Sequence, residues 1–424
     1  MPGSKSAQAL WMSLVMLVAI VLVNTCAAQQ EAVLHSFGHG TDGAGPETEL
    51  VIDSAGNLYG TTLIGGIHDN CGGGHGCGTV FQLSPRQDGA WTETVLYSFG
   101  NGTDGQNPSA GLILDMSGNL YGTTAAGGIH SKGTVFELSP REGGGWTETV
   151  LHSFGSGTDG ASPYATLTFD GAGNLYGTTL DGGIHGRGTV FELSPRQGGE
   201  WSETVLHSFG SGTDGSQPYG ELVFDAGGDL YGTTTGGGST GIGGTVFELS
   251  PRQGGGWSET IIHSFGNGAD GEGPTAGPIF DGSGSLYGTT AGGGIHGGGT
   301  VFELSPRQGG GWTETVIHSF GNGTDGKAPY GGLIFDSSSG NLYGTTNQGG
   351  IHYCADFGES CGTVFQLSPR EGGGWTETVL HSFGKGPDGA FPYSGLIRDA
   401  SGHLYGTTFY GGIRGFGTAF EITP

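Results

Sequence analysis

The chain has 424 residues, of which 96 are Gly and only 12% are charged, and its formal net charge is −26. So acidic a balance argues against nucleic acid and anionic membrane surfaces as partners, and leaves cations, neutral glycans and basic proteins. Composition is uniform from about residue 29 onward, and Gly recurs at fixed places between short Val/Leu/Phe/Tyr runs, as turn punctuation does; one repetitive folded unit is expected, not several domains.

Residues 1–28 read as an export signal. Lys5 precedes an apolar run over about 10–23 and a small-residue site at Cys26-Ala27-Ala28. The run is short for a retained membrane span, and Asn24 and Thr25 fit poorly with a lipoprotein site at Cys26. Cleavage removes one Lys and no acid, taking the charge from −26 to −27. The expected product is residues 29–424, secreted to the extracellular space or periplasm, without stable membrane insertion and monomeric. The first residues of that product, 31–37 (EAVLHSF), read as a strand.

The segment LYGTT then recurs seven times, with Tyr59, Tyr121, Tyr176, Tyr231, Tyr287, Tyr343 and Tyr405 at its second position. Each copy holds four candidate strands: A, a short run ending in Asp such as Leu333-Ile334-Phe335-Asp336; B, NLYGTT; C, GTVFELSP; and D, WTETVLHSF. Turn signals separate them. Four short strands in each repeat of about 55 residues predict an all-β fold, a seven-bladed β-propeller with four antiparallel strands per blade. The last copy has A, B and C (396–399, 403–408 and 417–422) and no D, whereas residues 31–37 are a D strand with no A, B or C before it. Pairing the two closes the ring and leaves no open edge. Trp91, Trp146, Trp201, Trp257, Trp312 and Trp375 open six D strands; Gln29 holds the seventh position, at the predicted cleavage point.

The run LYGTT, Gly-Gly, GTVFELSP and Trp resembles the kelch pattern. The whole unit, GNLYGTT followed by Gly-Gly, GTVFELSP and GGGWTETVLHSFG, is similar to the bacterial GloVer (Gloeobacter/Verrucomicrobia) tandem repeat of choice-of-anchor exported proteins, over essentially all of 31–424. That resemblance implies a propeller and export, and no established activity. Many members carry a C-terminal sorting anchor; this chain ends Glu421-Ile422-Thr423-Pro424, so release is expected instead of tethering.

Topology sorts the polar residues into two rims. The A–B and C–D turns carry Asp53, Asp115, Asp170, Asp225, Asp281, Asp336 and Asp399 with Arg86, Arg141, Arg196, Arg252, Arg307 and Arg370. Those Asp residues are expected to form turns, with a neighbouring Arg pairing. The other rim carries the D–A residues Asp42, Asp104, Asp159, Asp214, Asp270, Asp325 and Asp388, and the B–C histidines His68, His130, His185, His296 and His352. Asp-Gly turns account for the former. A Ca²⁺ role stays open, although each loop offers a single carboxylate, and no metal site or other cofactor is assigned. Cys71 with Cys77 and Cys354 with Cys361 are close pairs in Gly-rich loops, which favours two disulfides; zinc is the rival, since His68, His75 and His352 share those loops.

Departures from the repeat point to function. Blades 1 and 6 have enlarged B–C loops flanking blade 7, which carries Phe391, Tyr393, Phe409, Tyr410, Arg414 and Phe416; blade 6 adds Tyr353, Asp356, Phe357 and Glu359. Exposed aromatics with a few polar groups suit sugar rings, and stapled loops lower the ordering cost of binding. Packing of the closure seam is the plainer account of the same residues. Glu49 and Glu221, near the start of strand A where other blades have Gly or Thr, are weak candidates for a general acid/base pair, on blades expected to hold them too far apart. The leading expectation is a binding module for carbohydrate or extracellular polymer. A hydrolase or lyase at the channel mouth, or an adhesive protein-interaction scaffold, is the alternative.

Overall fold

The computed structural model describes residues 30–38, 41–69, 71 and 74–424; the proposed signal and Gln29 lie outside the described residues. Among these there is no helix, and none long and apolar enough to cross a membrane. Seven antiparallel sheets form the blades of a propeller, six of four strands and one, blade 4, with Gly215–Pro218 added as a fifth. In blade 1, strands A to D are Val51–Ile52, Leu58–Thr62, Thr79–Pro85 and Trp91–Ser98, and the order repeats around the ring. Blade 7 consists of Ile397–Arg398, Leu404–Thr408 and Thr418–Thr423, with Gln30–Ser36 as its outer strand, paired antiparallel to Thr418–Thr423.

Strand positions explain the sequence patterns. All five residues of LYGTT are buried in every blade, so strand B shows no alternation. Strand D is the outer edge, and WTETVLHS alternates half-buried with exposed residues over its first half. Each C–D pair carries a register shift, as between Val135 and Phe136, which twists the edge and blunts it against further pairing.

The core lies between the blades: seven apolar clusters each join residues of two neighbours. At the centre of each, the Phe ending one strand D meets the Phe of the next blade's strand C at 4.9–5.1 Å, as in Phe154–Phe191. The pair Phe37–Phe81 places blade 7 on blade 1 in the same way. Gly in LYGTT is obligatory for this packing, because a Cβ on Gly177 would lie 2.7 Å from Phe191 Cζ. The strand D Trp packs on the Tyr of the preceding blade, as Trp312 does on Tyr231 at 6.2 Å.

Candidate functional site

Each blade enters the channel through a Pro wedged over the preceding blade. A Cβ on Gly188 (φ +99°) would meet Thr179 O at 2.4 Å and Pro218 Cδ at 2.5 Å, so only Gly admits that Pro. The three residues after the Pro line the channel. Directly after it stand Glu47, Ser109, Tyr164, Tyr219, Thr275, Tyr330 and Tyr393; two positions further on stand Glu49, Gly111, Thr166, Glu221, Gly277, Gly332 and Gly395.

This inner layer overturns the expected separation of Glu49 and Glu221. Oε1 of each lies within 3.4 Å of one point, the place a Cβ on Gly332 would occupy. Gly332, Gly277 and Gly395 supply the room: a Cβ on Gly395 would fall on Glu49 Oε1, and one on Gly277 would lie 2.9 Å from Glu221 Cγ. Four glycines in a layer of seven leave room for the two long side chains. Glu49 is surrounded by protein, yet touches water through the channel. Loss of solvent, then the charge of Glu221, pushes its carboxyl well above the usual range. The neck they occupy encloses about 70 Å³, room for only a few waters at ~30 Å³ each.

Above the neck, on the B–C face, the channel opens into a cavity of about 340 Å³ lined by Glu47, Ser109, Tyr219, Thr235, Thr275, Tyr330 and Tyr393. Tyr164 stacks on Tyr219 at 5.3 Å and Tyr330 on Tyr393 at 5.6 Å. Desolvation pushes Glu47 up to about 7, opposed by its hydrogen bond with Ser109. Of this group only Tyr393 is legible as a candidate from sequence. The signal for the others is the position after the repeated Pro, where a Glu, Ser, Thr or Tyr stands in every blade.

The aromatic candidates of blades 6 and 7 divide in two. Tyr393 meets Phe409 at 5.5 Å, Phe409 meets Tyr410 at 4.6 Å, Tyr410 meets Phe357 at 4.6 Å, and Phe357 meets Phe391 at 5.0 Å. A continuous row of rings thus runs from the channel mouth to the rim. Phe391 is 5% exposed and belongs to the core, so it is a floor under the row and not a contact surface; Phe409 and Tyr410 are half-buried. Phe357 (48%), Tyr353 (65%) and Tyr393 face solvent, with Asp356 exposed beside them. The loop of Tyr353, Asp356 and Phe357 is tied by the Cys354–Cys361 disulfide and by a short hairpin of Tyr353–Cys354 with Glu359–Ser360, and Gln348 donates a hydrogen bond to Glu359. Arg414 and Phe416 stand apart on the blade 7–blade 1 seam: Arg414 Nη1 is 3.5 Å from Asp42 Oδ2, and Phe416 covers Gly38. The second pair, Cys71–Cys77, is also a disulfide.

The two Asp rims serve the blades themselves. On the A–B turns Asp53 accepts from the amides of Ala55 and Asn57, from Asn57 Nδ2 and from Tyr59 Oη at 2.8–3.0 Å. Burial alone raises its pKa, but these bonds hold it below the usual value. Asn and Tyr, not the expected Arg, are therefore its partners; Arg307 and Arg370 donate to Thr313 and Thr376. Asp336 is the exception, 3.4 Å from Arg398. On the D–A rim the Asp accepts from the amide of a Gly four residues earlier and lies beside a strand D histidine, as Asp388 does with Gly384 N and His381 Nε2, both 3.1 Å. In blade 1 Tyr97 Oη takes the His position, 2.8 Å from Asp104. Each carboxylate is thus engaged by its own blade. The strand D histidines, overlooked in favour of the B–C ones, are the structural set. Among the described residues no three His, Cys, Asp or Glu side chains gather as metal ligands would.

These features define a seven-bladed propeller built from one tandem repeat, with a tyrosine-rimmed channel and an aromatic row on one face. The Gloeobacter/Verrucomicrobia repeat matches residues 20–168, 144–350 and 225–424, and the chain belongs to that family. No curated protein matches it.

Proposed function

We propose that the protein is a secreted binding propeller for carbohydrate, whose ligand lies on the aromatic row of blades 6 and 7. The observation that carries this reading is the row itself: Tyr393, Phe409, Tyr410 and Phe357 in successive ring contact over the buried Phe391, exposed at Phe357 and at Tyr393, with the carboxylate of Asp356 exposed next to Phe357 and the Gln348 amide bonded to Glu359 of the same loop. Sugar rings have apolar C–H faces that cover aromatic surface and hydroxyl edges that need such polar neighbours. The disulfide beneath the loop reduces the entropy lost on binding. Both disulfides are compatible with the oxidising compartment that export implies. Hydrolysis by Glu49 and Glu221 has less support, because their narrow neck leaves no room for a sugar ring.

A glycan array followed by calorimetry tests the proposal. Phe357→Ala and Tyr410→Ala are each expected to weaken the best ligand about tenfold or more, with unchanged thermal unfolding for Phe357→Ala. Failure of every glycan to bind, or affinity in both variants equal to that of the unmodified protein, overturns it.

A further inference from the structure

The cavity at the channel mouth has a different chemistry from the aromatic row. Its polar walls offer acceptors. The Thr235 hydroxyl donates its proton to Gln217 O at 3.1 Å and that of Thr275 to Tyr330 O at 2.9 Å. Each therefore turns only lone pairs toward a ligand. Glu47 adds a carboxyl group, and Glu49 and Glu221 lie in the neck below. No Lys, Arg or His lines the cavity or the neck among the described residues. The remaining wall is aromatic, from Tyr219, Tyr330 and Tyr393, with Tyr164 stacked behind Tyr219.

We infer that this cavity is a binding site for an organic ammonium cation, held by the aromatic wall of Tyr219, Tyr330 and Tyr393 and by the carboxylate of Glu47. Ring faces carry negative potential and attract alkylammonium groups most strongly where water is excluded. A cation needs no donor, only negative potential and a fitting volume. About 340 Å³ is at the lower end of small-molecule sites. Glu47 also lacks a positive partner: loss of water pushes its carboxyl up to about 7, and its charge reaches Tyr164, Tyr219 and Tyr393. A bound cation supplies the missing counter-charge. The site is independent of the carbohydrate reading, since Phe357, Tyr353 and Asp356 take no part in it.

Calorimetry on the purified protein tests the inference, with choline and its neutral isostere 3,3-dimethyl-1-butanol as probes. A peptide carrying trimethyl-lysine separates a free ligand from a side chain of a larger one. Choline or the peptide is expected to bind at one saturable site, and the isostere at least about tenfold more weakly than choline. Glu47→Gln, which keeps the shape, is expected to weaken the cation about tenfold. Tyr219→Ala abolishes binding, Tyr219→Phe retains it within about twofold because the ring face remains, and Phe357→Ala leaves it unchanged. Equal binding of choline and its isostere, no saturable binding of either cation to the unmodified protein, or unaltered affinity in Glu47→Gln overturns the inference. Loss in Tyr219→Phe as well as Tyr219→Ala also overturns it, since that assigns the effect to the hydroxyl.

Discussion

Glu49 and Glu221 come from opposite sides of the ring and bring their Oε1 atoms within 3.4 Å of a common point beside Gly332. Two carboxyls so placed do not both ionise readily, so the native state favours the form in which Glu49 keeps its proton. Its folded pKa is raised above the unfolded value, so its contribution to stability is full in acid and is lost as pH rises through the folded pKa. Glu49→Gln is expected to be nearly neutral in acid and stabilising by about 1–2 kcal/mol above neutrality. Urea unfolding at the two extremes checks this; destabilisation at high pH contradicts it.

A second pH effect comes from the seams. Glu93, Glu148, Glu203, Glu259, Glu314 and Glu377 on the strands D each leave Oε1 buried without a hydrogen-bond partner, and face the D–A Asp of the preceding blade. Burial first, and that Asp second, push each up to about 7. Their stabilisation is present below the unfolded value and fades as pH rises through about 7. The strand D histidines have the opposite sign: burial lowers His152, His207 and His263, although their Asp partners oppose it, so their contribution fades in acid. Stability is therefore expected to peak on the acid side of neutrality. The triple variant Glu148→Gln, Glu203→Gln and Glu259→Gln is expected to flatten the alkaline limb of the urea midpoint against pH, and an unchanged limb refutes the assignment.

Much of this architecture was legible in the repeat. Seven LYGTT segments and their turn signals define the blades, because a strand buried on both faces and an outer edge strand impose different residue patterns. The site was less legible, for reasons of distance. Whether Glu49 reaches Glu221 depends on the bore of the channel, which follows from how seven blades pack and not from spacing along the chain. Glu47, Tyr164, Tyr219 and Tyr330 each look like one polar or aromatic residue after a Pro, and become a cavity only when six or seven blades bring that position to one axis. The Asp388–His381 pair was hidden because partners seven residues apart span a strand end and a loop, a separation with no local signature. Phe391 shows the reverse failure: an aromatic that breaks the repeat invites a surface role, yet the floor of an enlarged loop also needs filling.

Packing between blades makes a sharper stability prediction. Phe191 is fully buried against Phe154 at the blade 2–blade 3 seam. Phe191→Ala is expected to cost about 3–5 kcal/mol. Thermal or urea unfolding checks it, and a loss below ~1 kcal/mol would show that the seams are not the main core.

Two glycines with positive φ separate steric need from conformational need. Gly188 (φ +99°) has Thr179 O and Pro218 Cδ within 2.5 Å of the Cβ position, whereas Gly199 (φ +85°) has open space there. Gly199→Ala is expected to cost about 1 kcal/mol through backbone strain alone. Gly188→Ala is expected to cost several-fold more, by displacing the Pro wedge. Equal melting temperatures for the two variants refute the wedge.

The most direct measurement of the proposed function is a crystal structure of the protein with its best-binding oligosaccharide. A sugar ring lying on Phe357 and Tyr410, with a hydroxyl edge toward Asp356 or Gln348, is the predicted result. A sugar bound on the opposite rim, among the Asp53-type turns, or no sugar on blades 6 and 7 at saturating concentration, contradicts it.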